Sequence, residues 1–247
     1  MGQRAIGGSR TTRRPRYNRL VSCTQKVPKR IKNIAELERI ILNRLKNPAI
    51  QWKDSKLNRT VAGTSAAAWT NALLNMVLRL GQDAYHYQVW PQGYLLNAQS
   101  MRNAKTEKRG EWQFDACWTH PALTEWVDAL RNDDQASPFA GIELACESEW
   151  FHKRGADKGV AAILDDFAKL VESRASFKLM FFDYLPDDGK GDSNPKRGSY
   201  EDIKTLCEKL IETDTSKACY LLMAWPVDAA WGPPRQCLAV ATNDSSR

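Results

Sequence analysis

The chain has 247 residues, 43% of them hydrophobic and 26% charged, with a formal net charge of +7. That composition describes a soluble protein with one principal domain, long enough to bury about 70% of its unfolded surface without disulfides or a structural metal. The longest apolar run, Ala218 to Trp225, falls far short of the ~20 residues of a membrane-spanning helix, so no transmembrane protein is expected.

Residues 1–32 carry ten basic side chains, among them Arg10, Arg13, Arg14, Arg16 and Arg19, and no Asp or Glu. Residues 33–247 hold 26 basic groups against 29 acidic ones, so the positive charge belongs to the arm and not to the body. Such an arm has too little apolar surface to fold alone and is expected to be flexible. Its arginines are the expected nucleic-acid contacts; an inert solubilising leader and an Arg-rich transit peptide are the alternatives. No apolar stretch of the secretory kind follows the first arginines, and the expected location is cytoplasmic.

Beyond the arm, residues 33–247 read as a single domain. Ile34, Leu37, Ile40, Ile41 and Leu45 recur at helical spacing, which predicts a helix over 33–46 ended by Pro48. A second helix is expected from about Ser65 to Asp83, on the stripe Trp69, Leu73, Leu74, Val77, Leu78 and Leu80, with Thr64 or Ser65 as N-cap. Tyr85, Tyr87 and Val89 alternate with polar residues before Pro91, the pattern of a short strand.

A polar connection then leads to a second strand over 111–118 and a short helix over 121–132. The third strand is expected from Phe139 to about Glu147, with a polar elbow to Gly159. Ile163, Leu164, Phe167, Leu170 and Val171 share a helical face within 160–174, feeding the apolar strand 177–182. An exposed loop over 186–198 precedes a helix over 200–213, and strands over 218–225 and 236–241 complete the order. The expected class is α/β, a mixed central sheet flanked by helices.

The six cysteines form no C-x-x-C pair and the three histidines are isolated, so no zinc site is expected. The chemistry points instead to carboxylates. Asp115 lies on the second strand between Phe114 and Ala116. Side chains on the third alternate, which places Ile142, Leu144 and Cys146 on one face and Glu143, Ala145, Glu147 and Glu149 on the other.

If the two strands are neighbours, Asp115 converges with Glu147 and Glu149. Carboxylates gathered in this way repel, and a divalent cation relieves the repulsion. Oxygen ligands alone select Mg²⁺ or Mn²⁺. The plain alternative is a solvated acidic strand face. Trp112, Trp118 and Trp150 bracket the set; core packing is their default explanation and stacking on an unpaired base the minor one.

The succession of a helix, a strand with Asp115, a strand ending Glu147-Ser148-Glu149, a helix with Asp166-Phe167-Ala168-Lys169-Leu170 and an apolar strand resembles the restriction-endonuclease-like PD-(D/E)xK nuclease superfamily over roughly residues 65–185. The resemblance implies Mg²⁺ (or Mn²⁺) between Asp115 and Glu147. Where the family's triplet ends in Lys, this chain has Glu149, an E-x-E variant; Glu149 becomes a third acidic ligand or base. Lys169 is the preferred substitute for the missing lysine, with Lys153 and Lys178 the other candidates.

The function so implied is Mg²⁺-dependent hydrolysis of phosphodiester bonds, with DNA the expected polymer and RNA open, and with cutting as a homodimer a further expectation. The alternative is a non-catalytic nucleic-acid-binding or interaction protein on the same fold that uses the basic arm for affinity.

Overall fold

The computed structural model describes residues 29–46, 66–91, 114–120, 141–151, 155–186, 196–227, 229 and 232–242. Arg10, Arg13, Arg14, Arg16 and Arg19 of the arm, the N-cap candidates Thr64 and Ser65, Trp112, the helix expected over 121–132, Lys153 and most of the loop expected over 186–198 lie outside the described residues.

Helix α1 spans Ile34–Lys46 and buries Leu37, Ile41 and Leu45, one residue per turn on a single face. Its start is closed reciprocally: Asn33 Oδ1 accepts the Glu36 N–H at 2.9 Å, and the Glu36 carboxylate accepts the Lys32 N–H at 2.8 Å. Helix α2, Ala66–Arg79, passes directly into one wider π-type turn, Leu80–Ala84. At this junction the Trp118 indole Nε1–H donates to the Val77 carbonyl at 3.1 Å.

Only a glycine fits at 81, because a Cβ there would stand 2.6 Å from Trp118 Nε1. Gly81→Ala is therefore expected to destabilise the fold by about 1–3 kcal/mol, the usual cost of overpacking, read as a lower denaturation midpoint with unchanged m-value.

The six strands are β1 (Gln88–Pro91), β2 (Ala116–Thr119), β3 (Ile142–Glu149), β4 (Phe177–Tyr184), β5 (Cys219–Pro226) and β6 (Gln236–Ala241). They lie side by side in chain order in one mixed sheet. β1, β2 and β3 form an antiparallel meander, β3, β4 and β5 are parallel, and β6 is antiparallel to β5. Each parallel step needs a crossover, which α3 (Ala156–Glu172) supplies between β3 and β4 and α4 (Tyr200–Thr213) between β4 and β5. Helix α4 is capped by Ser199, whose Oγ accepts the Asp202 N–H, while the Asp202 carboxylate accepts the N–H of Gly198, a residue at φ +83°.

The alternation of β-strand side chains divides the core into two clusters. Leu144, Cys146, Leu179, Phe181, Leu221 and Met223 belong to the cluster that holds α1 and α2. Ala145, Met180, Phe182, Tyr220 and Leu222 belong to the one that holds α3 and α4. β4 and β5 are buried through nearly their whole length, as central parallel strands with helices over both faces must be. The chain is thus an α/β protein with a mixed sheet flanked by helices. Among the described residues no helix is long and apolar enough to cross a membrane.

The placement of Glu143 is corrected. Glu143 does not extend the acidic face of β3. The register between β2 and β3 shifts between Trp118 and Thr119, opposite Ile142 to Leu144, and the irregularity breaks strict alternation there. Its carboxylate lies 3.6 Å from His120 Nε2 and beside the Tyr87 hydroxyl, whose pKa burial and then Glu143 raise.

For Trp118 and Trp150 the default expectation, core packing, is met. Trp118 is buried against Tyr85 and Tyr87, and Trp150 packs on Trp69 and Trp225 with ring centroids 5.7 and 6.0 Å apart. Both serve the core.

Candidate carboxylate site between the second and third strands

β2 begins at Ala116, so Asp115 stands in the bend just before the strand and not within it. Its polar groups are engaged with the far end of β3 instead of the ladder. The Asp115 N–H donates to Glu147 Oε2 at 3.4 Å, and Asp115 Oδ2 accepts both the Ser148 N–H at 2.9 Å and the Ser148 hydroxyl at 3.2 Å. The antiparallel pairing of β2 with β3 brings these residues together across 32 positions of sequence.

Glu147 points to the side of the sheet covered by α3 and is 2% exposed. Its Oε1 is buried with no hydrogen-bond partner among the described residues. Burial raises the Glu147 carboxyl first, and the neighbouring carboxylates of Asp115 and Asp166 raise it further, to about 9; Lys169 acts the other way. Asp115 is likewise raised, by burial and by Asp166, against the hydrogen bonds from Ser148. The free protein at neutral pH therefore holds Glu147 protonated.

α3 delivers the remaining groups. Asp166 and Lys169 stand three residues apart on one helix face and form an ion pair. The bond to Asp166 raises the Lys169 ammonium, burial lowers it, and Glu147 and Asp115 raise it again, so all four side chains share one electrostatic neighbourhood. Glu149, two residues beyond Glu147 on β3, is half-buried and in register with Phe182.

Asp166 is the member that the sequence did not single out. Its signal was present as the i, i+3 spacing with Lys169 on an amphipathic helix, but nothing local says that this face of the helix meets the end of β3.

Lys178 is not part of this group. It is fully buried on β4, and its ammonium donates to Asp214 at 2.7 Å, to the Val171 carbonyl at 2.9 Å and to the Tyr220 hydroxyl at 3.1 Å. That is a structural ion pair.

A metal ion suggested by the resemblance can be tested against these residues. The donors are all carboxylate oxygens, one of them buried and orphaned, in a cluster whose negative charge is held in check by protonation. Such a set fits a hard divalent cation. Among the described residues, however, no three His, Cys, Asp or Glu side chains gather closely enough to hold a metal on their own. A cation here would have Asp115 and Glu147 as its principal protein ligands, with water and substrate oxygens as the rest, the usual situation for Mg²⁺.

Comparison of the chain with protein-family models, with curated proteins and with solved structures finds no match in any of the three.

Proposed function

We propose that the protein is a Mg²⁺-dependent nuclease on a restriction-endonuclease-like core, hydrolysing phosphodiester bonds, with DNA as the expected substrate. The observation that carries this reading is the buried, orphaned Oε1 of Glu147 beside Asp115, with Lys169 entering from the next helix. Support also comes from the order of parts: an acid at the mouth of the second strand, an acid on the third, then a crossover helix and a parallel fourth strand. That is the order in which the resembled superfamily places its metal ligands.

Asp115 and Glu147 would hold the cation, and Glu149, farther along the same strand, would serve as a third acidic ligand or base. A bound Mg²⁺ lowers the pKa of a coordinated water and neutralises charge that builds on the phosphate. Lys169 would take the place of the triplet lysine. Its ammonium, charged throughout the neutral range on a side chain that is 40% exposed, can reach a non-bridging phosphate oxygen or orient the attacking water, while Asp166 keeps it at the site. The arm, with Arg10, Arg13, Arg14, Arg16 and Arg19, would add salt-sensitive affinity for the polyanion without entering the chemistry.

The test is cleavage of single- and double-stranded DNA and RNA, with and without Mg²⁺ or Mn²⁺. Wild type is expected to cut at least one substrate only with metal, and Lys169→Ala to lower kcat about 10²- to 10⁴-fold, the usual range for a lost acid–base or positioning group. No cleavage of any substrate would sink the catalytic reading.

Glu149 in the lysine position favours a second reading, a non-catalytic nucleic-acid-binding protein. It predicts binding that weakens with salt and with deletion of residues 1–30, and that is indifferent to Glu147→Gln.

A further inference from the structure

Asp115 is the end of a hydrogen-bond chain that begins in the opposite layer of the molecule. Trp150 Nε1 lies 2.8 Å from Thr70 Oγ1, Thr70 Oγ1 lies 3.4 Å from Ser148 Oγ, and Ser148 Oγ lies 3.2 Å from Asp115 Oδ2. Thr70 is on α2, which packs on the sheet face away from α3, so the chain runs from that helical layer to a carboxylate that is within the electrostatic reach of Asp166 on α3.

The polarity of the chain follows from its ends. An indole N–H can only donate, and an ionised carboxylate can only accept. Each hydroxyl between them has one hydrogen. Every group is satisfied when Trp150 donates to Thr70, Thr70 to Ser148, and Ser148 to Asp115. Both ends are fixed: the Trp150 ring is wedged between Trp69 and Trp225, and the Ser148 N–H adds a second bond to the same Asp115 oxygen at 2.9 Å. Ser148 is itself 6% exposed, so water does not compete for its hydroxyl.

From this geometry we infer that Ser148 and Thr70 are positioning residues that hold Oδ2 of Asp115 and aim its other oxygen at the cation site. The inference rests on the nuclease reading of Asp115, and it explains why the residue between Glu147 and Glu149 is a serine with a buried side chain. It assigns α2 a part in the site although it contributes no ligand. Groups that orient metal ligands from outside typically change metal affinity or activity 10- to 100-fold when removed.

The experiment is Mn²⁺ binding to the full-length chain, measured by calorimetry, with Mg²⁺-dependent cleavage as a second readout. Ser148→Ala keeps the backbone bond and loses only the hydroxyl. It is expected to weaken Mn²⁺ about 10-fold or more, and to cut at a rate that recovers when Mg²⁺ is raised. Thr70→Val is expected to shift affinity in the same direction, and Thr70→Ser, which restores the hydroxyl, to return it to wild type.

A purely structural role would lower the melting temperature while leaving Mn²⁺ affinity unchanged, and that result in Ser148→Ala overturns the inference even if Thr70→Val does not fold. Wild type that binds no Mn²⁺ overturns the nuclease reading and this inference with it. Wild type that binds Mn²⁺ as tightly as Ser148→Ala overturns this inference alone.

Discussion

Glu147→Gln is expected to make the metal-free protein more stable at neutral pH and to reduce metal-dependent cleavage to background. The carboxyl is raised from the ordinary 4.5 to about 9, chiefly by burial and then by Asp115 and Asp166. A group whose pKa is higher folded than unfolded binds a proton on folding. Its contribution to stability is fully present below about pH 4.5 and is lost as pH rises through the window from 4.5 to about 9. At pH 7 roughly two and a half units of that window have been crossed, a loss of about 3 kcal/mol relative to acid.

A neutral Gln of similar shape escapes that loss. Chemical denaturation from pH 5 to pH 9 should therefore show wild type falling and Glu147→Gln nearly flat, with the variant ahead by about 2–3 kcal/mol at pH 7. On the proposed reading, adding Mg²⁺ should reverse the ranking, since a ligand that binds only the folded form raises stability with its concentration and the variant has a neutral amide where the proposed anionic ligand stood. A variant that is less stable than wild type at every pH would show that burial of this carboxylate is compensated by groups other than those named here.

The second large effect lies at the other end of the same layer. Burial alone would raise Asp214, but hydrogen bonds from Lys178, Tyr220 and Ser216 hold it down at about 2. Lys178 is fully buried, and burial lowers its ammonium while Asp214 opposes the shift. Removing one partner strands the other: Asp214→Asn should cost about 3–5 kcal/mol, because the lysine charge is left buried without its counter-ion.

Lys178→Met, which fills the space without a charge, should cost much less than Asp214→Asn, and the double variant Lys178→Met/Asp214→Asn should be more stable than Asp214→Asn alone. The pH sign is opposite to that of Glu147. A depressed carboxyl contributes stability that is present above its unfolded value near 3.8 and is lost as pH falls toward 2, about 2 kcal/mol in all. Acid unfolding of wild type between pH 4 and pH 2 should thus be steeper than that of the double variant.

Much of the architecture was legible because local pattern and tertiary burial agree. The helix over 200–213 and the strand over 236–241 have the bounds expected, the first because Ser199 and Asp202 supply a cap where the apolar spacing begins. The neighbouring placement of β2 and β3, on which the convergence of Asp115 with Glu147 depended, is also present.

What was not legible depends on distant partners. Glu143 fits the alternation in sequence, but a register shift set by the β2 pairing turns it to His120 and Tyr87. Lys178 was open as a site lysine because nothing near it shows that Asp214, 36 residues away, neutralises it. Asp166 was overlooked for the converse reason: its neighbour Lys169 was noticed, while the meeting of that helix face with Glu147 is a property of the crossover. The need for Gly81, inside the widened turn, follows from the approach of Trp118, a contact no local propensity reports.

The central claim, that Asp115 and Glu147 share a divalent cation, can be read from protons. Since Glu147 is protonated at neutral pH in the free protein, a cation bound there must displace that proton. Mg²⁺ titration followed by calorimetry at pH 7, in buffers of differing ionisation enthalpy, is predicted to release close to one proton per ion bound by wild type and to show no such site in Glu147→Gln. Binding without proton release, or equal binding to wild type and Glu147→Gln, would contradict the account.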